Sequence, residues 1–188
     1  MSFHDLLADA QQHPDGADYH SLRMAYARSP EYAPYTHDLE GVERLRDALQ
    51  SGDLEAALLA VGRLLAFNYL DIEAHMAADY VYTMQGDTER SAYHRTFARG
   101  LIDAIKDTGD GRSPATAYIV LNIPEEYTFM RLTGFTHGKQ SIVVHEGEEF
   151  DAFDVEDPEG HTSQIFFNIE LPRRWFDANM PDPHNSGG

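Results

Sequence analysis

The sequence predicts an α+β protein, with an antiparallel helical first half over residues 1–107 and a small β-rich second half over residues 108–188 packed on it as one folding unit. Three observations predict this. Apolar residues recur at helical spacing as far as Lys106. The pairs Gly52-Asp53 and Gly86-Asp87 stand 34 residues apart, each at a break between helical patterns. After Asp107 the apolar residues alternate, and Pro, Gly and Asp punctuate them.

In the first half, Asp18 to Arg28 reads as a helix, with Tyr19, Leu22 and Tyr26 on one face and Asp18 as its cap. Ser29-Pro30 stops it, and the two prolines keep residues 29–35 extended or turning. Leu39 to Gln50 is a second helix, with Val42, Leu45 and Leu49 in phase and Ser51-Gly52 at its end. Asp53 to Tyr69, Asp71 to Gln85 and Thr88 to Lys106 follow. A 34-residue period is that of the TPR repeat. Aligned on the turns, Ala57, Tyr82 and Ala98 fit that repeat, while His75 occupies its tryptophan position. The first half is therefore read as TPR-like, and a plain antiparallel hairpin accounts for the same spacing.

In the second half, Thr108 to Pro114 is a loop. Ala115 to Ile123 reads as a strand, and its two apolar faces predict a central one. Glu125 to Leu132 is a helix with Pro124 in its first turn. Gln140 to His145, Glu149 to Glu156 and Thr162 to Leu171 complete a mainly antiparallel four-stranded sheet with that one inserted helix. Asp157-Pro158-Glu159-Gly160 forms the last hairpin turn, and Pro172 opens a short helical turn through Trp175 and Phe176. His184 to Gly188 reads as a disordered tail.

The formal net charge is −18. A chain this acidic repels phosphate backbones and anionic membrane faces, so neither nucleic acid nor membrane is expected as a partner. There is no cysteine, which excludes disulfides, thiol catalysis and thiolate zinc sites. Met1 to Asp9 carries no Lys or Arg and forms neither a signal peptide nor a span, so the expected location is cytoplasmic. The acids from Glu146 to Glu159 are uninterrupted by any basic residue and read as a solvated strand face and turn. A weak calcium site or a surface for a basic partner is the alternative, although the EF-hand pattern is absent.

Further residues carry a resemblance. They run from Asp18-Tyr19, Leu22-Arg23 and Tyr26 through Ser29, Tyr32 and Pro34-Tyr35 to the Gly-Asp hairpin, Ala74-His75 and Tyr93-His94. Gly109-Asp110-Gly111, Ala117-Tyr118, Glu125-Glu126-Tyr127, Gln140 and Phe166-Phe167-Asn168-Ile169 continue it. In this order they resemble the bacterial family described as domain of unknown function 4919, over about Asp18 to Leu171. The resemblance implies a shared fold and no established activity. Members often carry export signals that this chain does not show, so a compartment is not carried over.

Three functions compete. The first reading is a protein- or peptide-binding module using a helical-repeat groove, with Tyr80, Tyr82, Tyr127 and Gln140 as binding residues and Tyr69 and Tyr93 as further lining. The second is a hydrolase-like or metal-dependent enzyme with His75, His94 and Glu126 as catalytic residues. His75 and His94 lie on antiparallel helices either side of the Gly86-Asp87 turn, placed as a base and its orienter or as ligands of a divalent metal. These histidines and one of Glu125 or Glu126 are expected to converge within about 10 Å, a carboxylate raising the pKa of at least one histidine. The third is an acidic structural or stress-related protein. No cofactor motif is evident: Gly109-Asp110-Gly111-Arg112-Ser113 precedes a strand and reads as a plain turn, since phosphate loops need a following helix N-terminus.

Overall fold

The computed structural model describes residues 1–180, so the expected tail lies outside the described residues. The chain divides into two compact units. One comprises residues 1–29 and 36–104, and the other residues 30–35 and 105 onward.

The helical unit contains α1 (Phe3–Gln12), α2 (Tyr19–Tyr26), α3 (Leu39–Ser51), α4 (Leu54–Phe67), α5 (Ile72–Met84) and most of α6 (Thr88–Lys106). Each of α2 to α5 begins at an aspartate whose carboxylate accepts an early amide. Asp18 takes that of Ser21, Asp38 that of Gly41, Asp53 that of Ala56 and Asp71 that of Ala74. The two Gly-Asp turns are built alike. Gly52 and Gly86 both sit at left-handed φ, 74° and 76°, where a side chain would be strained. The Asp53 amide donates to Ala48, and the Asp87 amide makes the equivalent bond to Tyr82, each at 2.9 Å. Alanines at 48, 57, 60, 74 and 78 form much of the core between α3, α4 and α5, and small contacts bring helices close. Sequence reading misses α1, which the capping box between Ser2 and Asp5 announces.

The second unit is a mixed sheet with two helices: β1 (Tyr118–Ile119), α7 (Ile123–Thr133), β2 (Thr136–His145), β3 (Glu148–Glu156), β4 (Thr162–Asn168) and α8 (Glu170–Asn179). Strand order is β1-β4-β3-β2. The β2–β3 and β3–β4 pairs are antiparallel, and β1 joins β4 in parallel. The α+β class and the mainly antiparallel sheet with an inserted helix are as the sequence predicts.

Two strand expectations are corrected. The first strand is a two-residue edge, not a long central one. A 3₁₀ turn at Pro114–Thr116 shortens its start, and Asn122 already caps α7. Its apolar continuation, Val120 and Leu121, is buried as the entry to that helix. The last strand stops at Asn168, because Glu170 and Leu171 belong to α8, which is longer than the turn expected after Pro172.

One of the two inner strands, β3, is covered on both faces. Phe150 and Ala152 pack with Ala117 and Phe166. On the other phase, Phe153 stands 5.9 Å from Phe167, which stands 5.9 Å from Phe129 of α7. Tyr32, from the short segment joining this unit, donates its hydroxyl to the carbonyl of Leu121 at 2.6 Å.

Candidate functional site

His75 and His94 form one hydrogen-bonded pair in the helical unit. Asp71 starts α5 and the Gly86-Asp87 turn starts α6, so the two helices return past one another and bring the rings together, tilted by 44° with centroids 5.1 Å apart. Their Nδ1 atoms are 2.9 Å apart. Nε2 of His75 lies 2.9 Å from the backbone carbonyl of Tyr69. A carbonyl only accepts, so that nitrogen carries the hydrogen. Neutral His75 then presents a lone pair at Nδ1, and His94 must donate to it from its own Nδ1. Both rings are thereby fixed in tautomer.

The surroundings keep both rings neutral. His75 is fully buried, stacked on Phe97 at 4.4 Å. Burial pushes its pKa down to about 4, against a smaller opposing effect of the Tyr69 carbonyl. Burial also lowers that of half-buried His94, and the carboxylate of Asp79 opposes this more weakly. The expected rise of a histidine pKa by a carboxylate is therefore corrected: desolvation wins. With both nitrogens of His75 engaged, only Nε2 of His94 is left to take a ligand.

Glu126, Tyr127, Gln140 and Asp151 form a second cluster, in the sheet unit. Pro124 and the Asn122 cap start α7 so that Glu125 and Glu126 fall in its first turn. Both are buried, although consecutive helical residues diverge by about 100°. Glu125 folds back and accepts the Leu121 amide at 2.7 Å. Glu126 enters the core, fully buried, and no N–H or O–H donor among the described residues reaches either of its oxygens. Burial pushes its pKa up to about 9, and the neighbouring Asp151 adds to the shift. The pKa of Asp151 is itself raised by burial, with Gln140 and Glu126 opposing the rise. Tyr127, at the exposed end, donates to Oε1 of Gln140 at 3.0 Å. The result is a polar chain running from a surface phenol to a buried carboxyl. The helix dipole favours a charged acid in this turn by only about 0.3–1 kcal/mol, which is small beside the cost of burying that charge.

Sequence reading misses Asp151, placing it in a solvated acidic run. It is 4% exposed. The signal was present, because Asp151 stands two residues from Phe153 and four from Val155, on the same strand face. The rest of that run is partly neutralised by α8, where Arg173 pairs with Glu149 and Arg174 lies 3.6 Å from Glu148. Asp157, Glu159 and His161 offer donor atoms within 4.8 Å of one another. Their geometry is that of the hairpin turn, with Asp157 accepting the amides of Glu159 and His161.

The predicted binding residues fall in both units, Tyr80 and Tyr82 in the helical one and Tyr127 and Gln140 in the other. Tyr69 and Tyr93 bond to each other at 2.8 Å. Tyr82 stacks on His94 and carries the Arg90 guanidinium 4.5 Å above its ring. Tyr80 is 53% exposed. His75 and His94 belong to the helical unit, and Glu125, Glu126, Tyr127 and Gln140 to the other. The Gly109–Ser113 segment is a turn, held by Asp110 accepting from the Arg112 amide and the Thr116 hydroxyl.

An open groove does exist between α3 and α4. Its volume is about 510 Å³, and it is lined by Ala48, Ala56, Leu59 and Ala60 together with Arg44, Arg63, Asp47 and Asp53. Among the described residues no helix is long and apolar enough to cross a membrane. A family model described as domain of unknown function (DUF4919) matches residues 8–176. No curated protein and no solved structure matches the chain.

Proposed function

The chain belongs to the family described as domain of unknown function (DUF4919), a description that names no activity, and from its own surface we propose a binding module that takes a short peptide segment of a protein partner between α3 and α4. The observation that carries this reading is the groove itself. Three alanines, at 48, 56 and 60, leave a furrow of about 510 Å³ that no side chain of the lining fills, within the roughly 300–1,000 Å³ usual for ligand sites. Leu59 is 74% exposed on its wall, a cost in water that an apolar partner side chain would relieve. The two arginines of the lining are held in place. Arg63 is gripped by both oxygens of Asp38 and pairs with Glu40, and Arg44 bonds Glu40 at 2.6 Å. Partner carbonyls or carboxylates would meet these guanidiniums while apolar side chains enter the furrow.

Selection of a displayed random-peptide library on the intact protein tests the reading. Apolar peptides should be enriched. Leu59→Glu and Ala56→Tyr should each weaken them at least about tenfold, a modest share of a binding hot spot, with the melting temperature unchanged. Failure to enrich any peptide, or peptides indifferent to both variants, would reject the groove.

A further inference from the structure

We infer that Nε2 of His94 is an acid–base site for a hydroxyl-bearing ligand or water, with His75 as its positioning residue. This site lies on α5 and α6 and is independent of the α3–α4 groove.

The two rings of the pair are not equivalent. His75 has both nitrogens engaged, to Tyr69 and to His94, as a histidine with a purely structural role would. His94 spends only Nδ1. In a five-membered ring Nε2 points away from that bond. It makes no hydrogen bond to a described residue, and the His94 side chain is only half-buried, unlike that of His75. The carbonyl of Tyr69 fixes the His75 tautomer, and His75 in turn fixes that of His94. The outcome is a lone pair held at the outer nitrogen. This is the arrangement a general base needs: a basic nitrogen facing the ligand, and an acceptor behind it that holds the ring's other N–H. Here a neutral imidazole replaces the usual carboxylate acceptor.

The walls define what can approach. Tyr82 stacks at 5.6 Å from the His94 ring and Tyr93 meets it edge-on at 5.1 Å. The charged groups around the pair come from the same two helices. Asp79 of α5 is held by Arg95 and Ser91, and Arg90 of α6 lies over Tyr82 and pairs with Asp87. When Nε2 takes a proton, the O–H bond of the ligand breaks and its electron pair stays on oxygen. His94 becomes an imidazolium whose Nδ1–H remains on His75. Asp79 is the carboxylate that opposes its new charge. His75 stays neutral throughout, and no other reactant is required.

Long-range ¹⁵N–¹H spectra of the histidine-labelled protein at pH 7 test this directly. His94 should be the Nδ1–H tautomer with a bare Nε2, and His75 the Nε2–H tautomer. A His94 protonated at Nε2 would overturn the proposal on the wild type alone. Carbethoxylation by diethyl pyrocarbonate then reads the lone pair, because Nε2 bonds the carbonyl carbon and ethyl carbonate leaves. The rate at His94 should rise through one ionisation centred below the usual histidine value. His75→Leu should lower the plateau about five- to tenfold, the population shift for losing one orienting hydrogen bond. His75→Gln, whose amide oxygen can accept from Nδ1–H, should restore it. Equal rates in wild type and both variants would assign His75 no positioning role and end the proposal.

Discussion

The ring of Tyr19 lies against the backbone of Gly100: a β-carbon added to that glycine would stand 2.1 Å from Cε2 of Tyr19. Tyr19 is held there by its hydroxyl, which donates to the Pro14 carbonyl at 3.0 Å, and by an edge contact with Phe97. Gly→Ala inside a helix is normally stabilising by about 1 kcal/mol. At this position overlap outweighs propensity. Gly100→Ala should destabilise by about 1–3 kcal/mol, read by urea unfolding. In a Tyr19→Ala background the same change should turn neutral or stabilising, and a Gly100→Ala that stabilises the otherwise wild-type protein would refute the contact.

Glu126 makes the fold alkali-sensitive. Its pKa is raised in the folded protein to about 9 from an ordinary 4.5, so the folded state holds a proton that the unfolded state has released between those values. Its contribution to stability therefore falls as pH rises from about 4.5 to 9. Glu126→Gln keeps the shape without the ionisation. It should raise the melting temperature at pH 8 and flatten the alkaline slope. Unchanged melting curves at pH 6 and pH 8 would show that the carboxyl is not buried as described.

His75 acts in the opposite sense. Its pKa is lowered to about 4 from 6.5, so the unfolded chain takes up the proton first. The stability it supports is complete above pH 6.5 and is lost as pH falls toward 4. His75→Gln should abolish this part of the acid limb in a thermal melt series from pH 7 to pH 4. An acid limb identical to that of the wild type would assign the loss to other groups.

Tyr32→Phe should cost about 0.5–1.5 kcal/mol for the lost bond to Leu121, and more if the carbonyl is left dry. Chemical denaturation measures it directly. No loss would mean that water replaces the hydroxyl.

Helices α2 to α5 were legible because each is written twice, in apolar spacing and in a capping aspartate. Asp18, Asp53 and Asp71 mark starts that apolar periodicity alone would blur. The histidine pair was legible for the same reason: a tight turn between two helices fixes which residues can meet. Asp151 was not, since a run of acids reads as surface unless each is assigned to a strand face. That face is interior because α7 lies over it, Tyr127 meeting Phe153 and Phe129 meeting Phe167. The short first strand was misjudged because burial and strand membership separate at Val120 and Leu121. The Glu146-Gly147 turn closing β2 and β3 has positive φ at both residues, 54° and 89°, and sequence reading named no turn there.

The assignment of residues 30–35 to the sheet unit has a consequence for how the protein is made. Tyr32 leaves the ribosome long before its acceptor: Leu121 follows it by 89 positions. At a synthesis rate of roughly 5–20 residues per second, the tyrosine waits about 4–18 s for its carbonyl. Helices α3 to α6 are completed in that interval, while the strand-poor segment beside them has no sheet to join. A nascent chain stalled near residue 110 would therefore be a test bed for chaperone engagement, and a separately expressed piece beginning at Ile105 would lack a residue that its own fold uses.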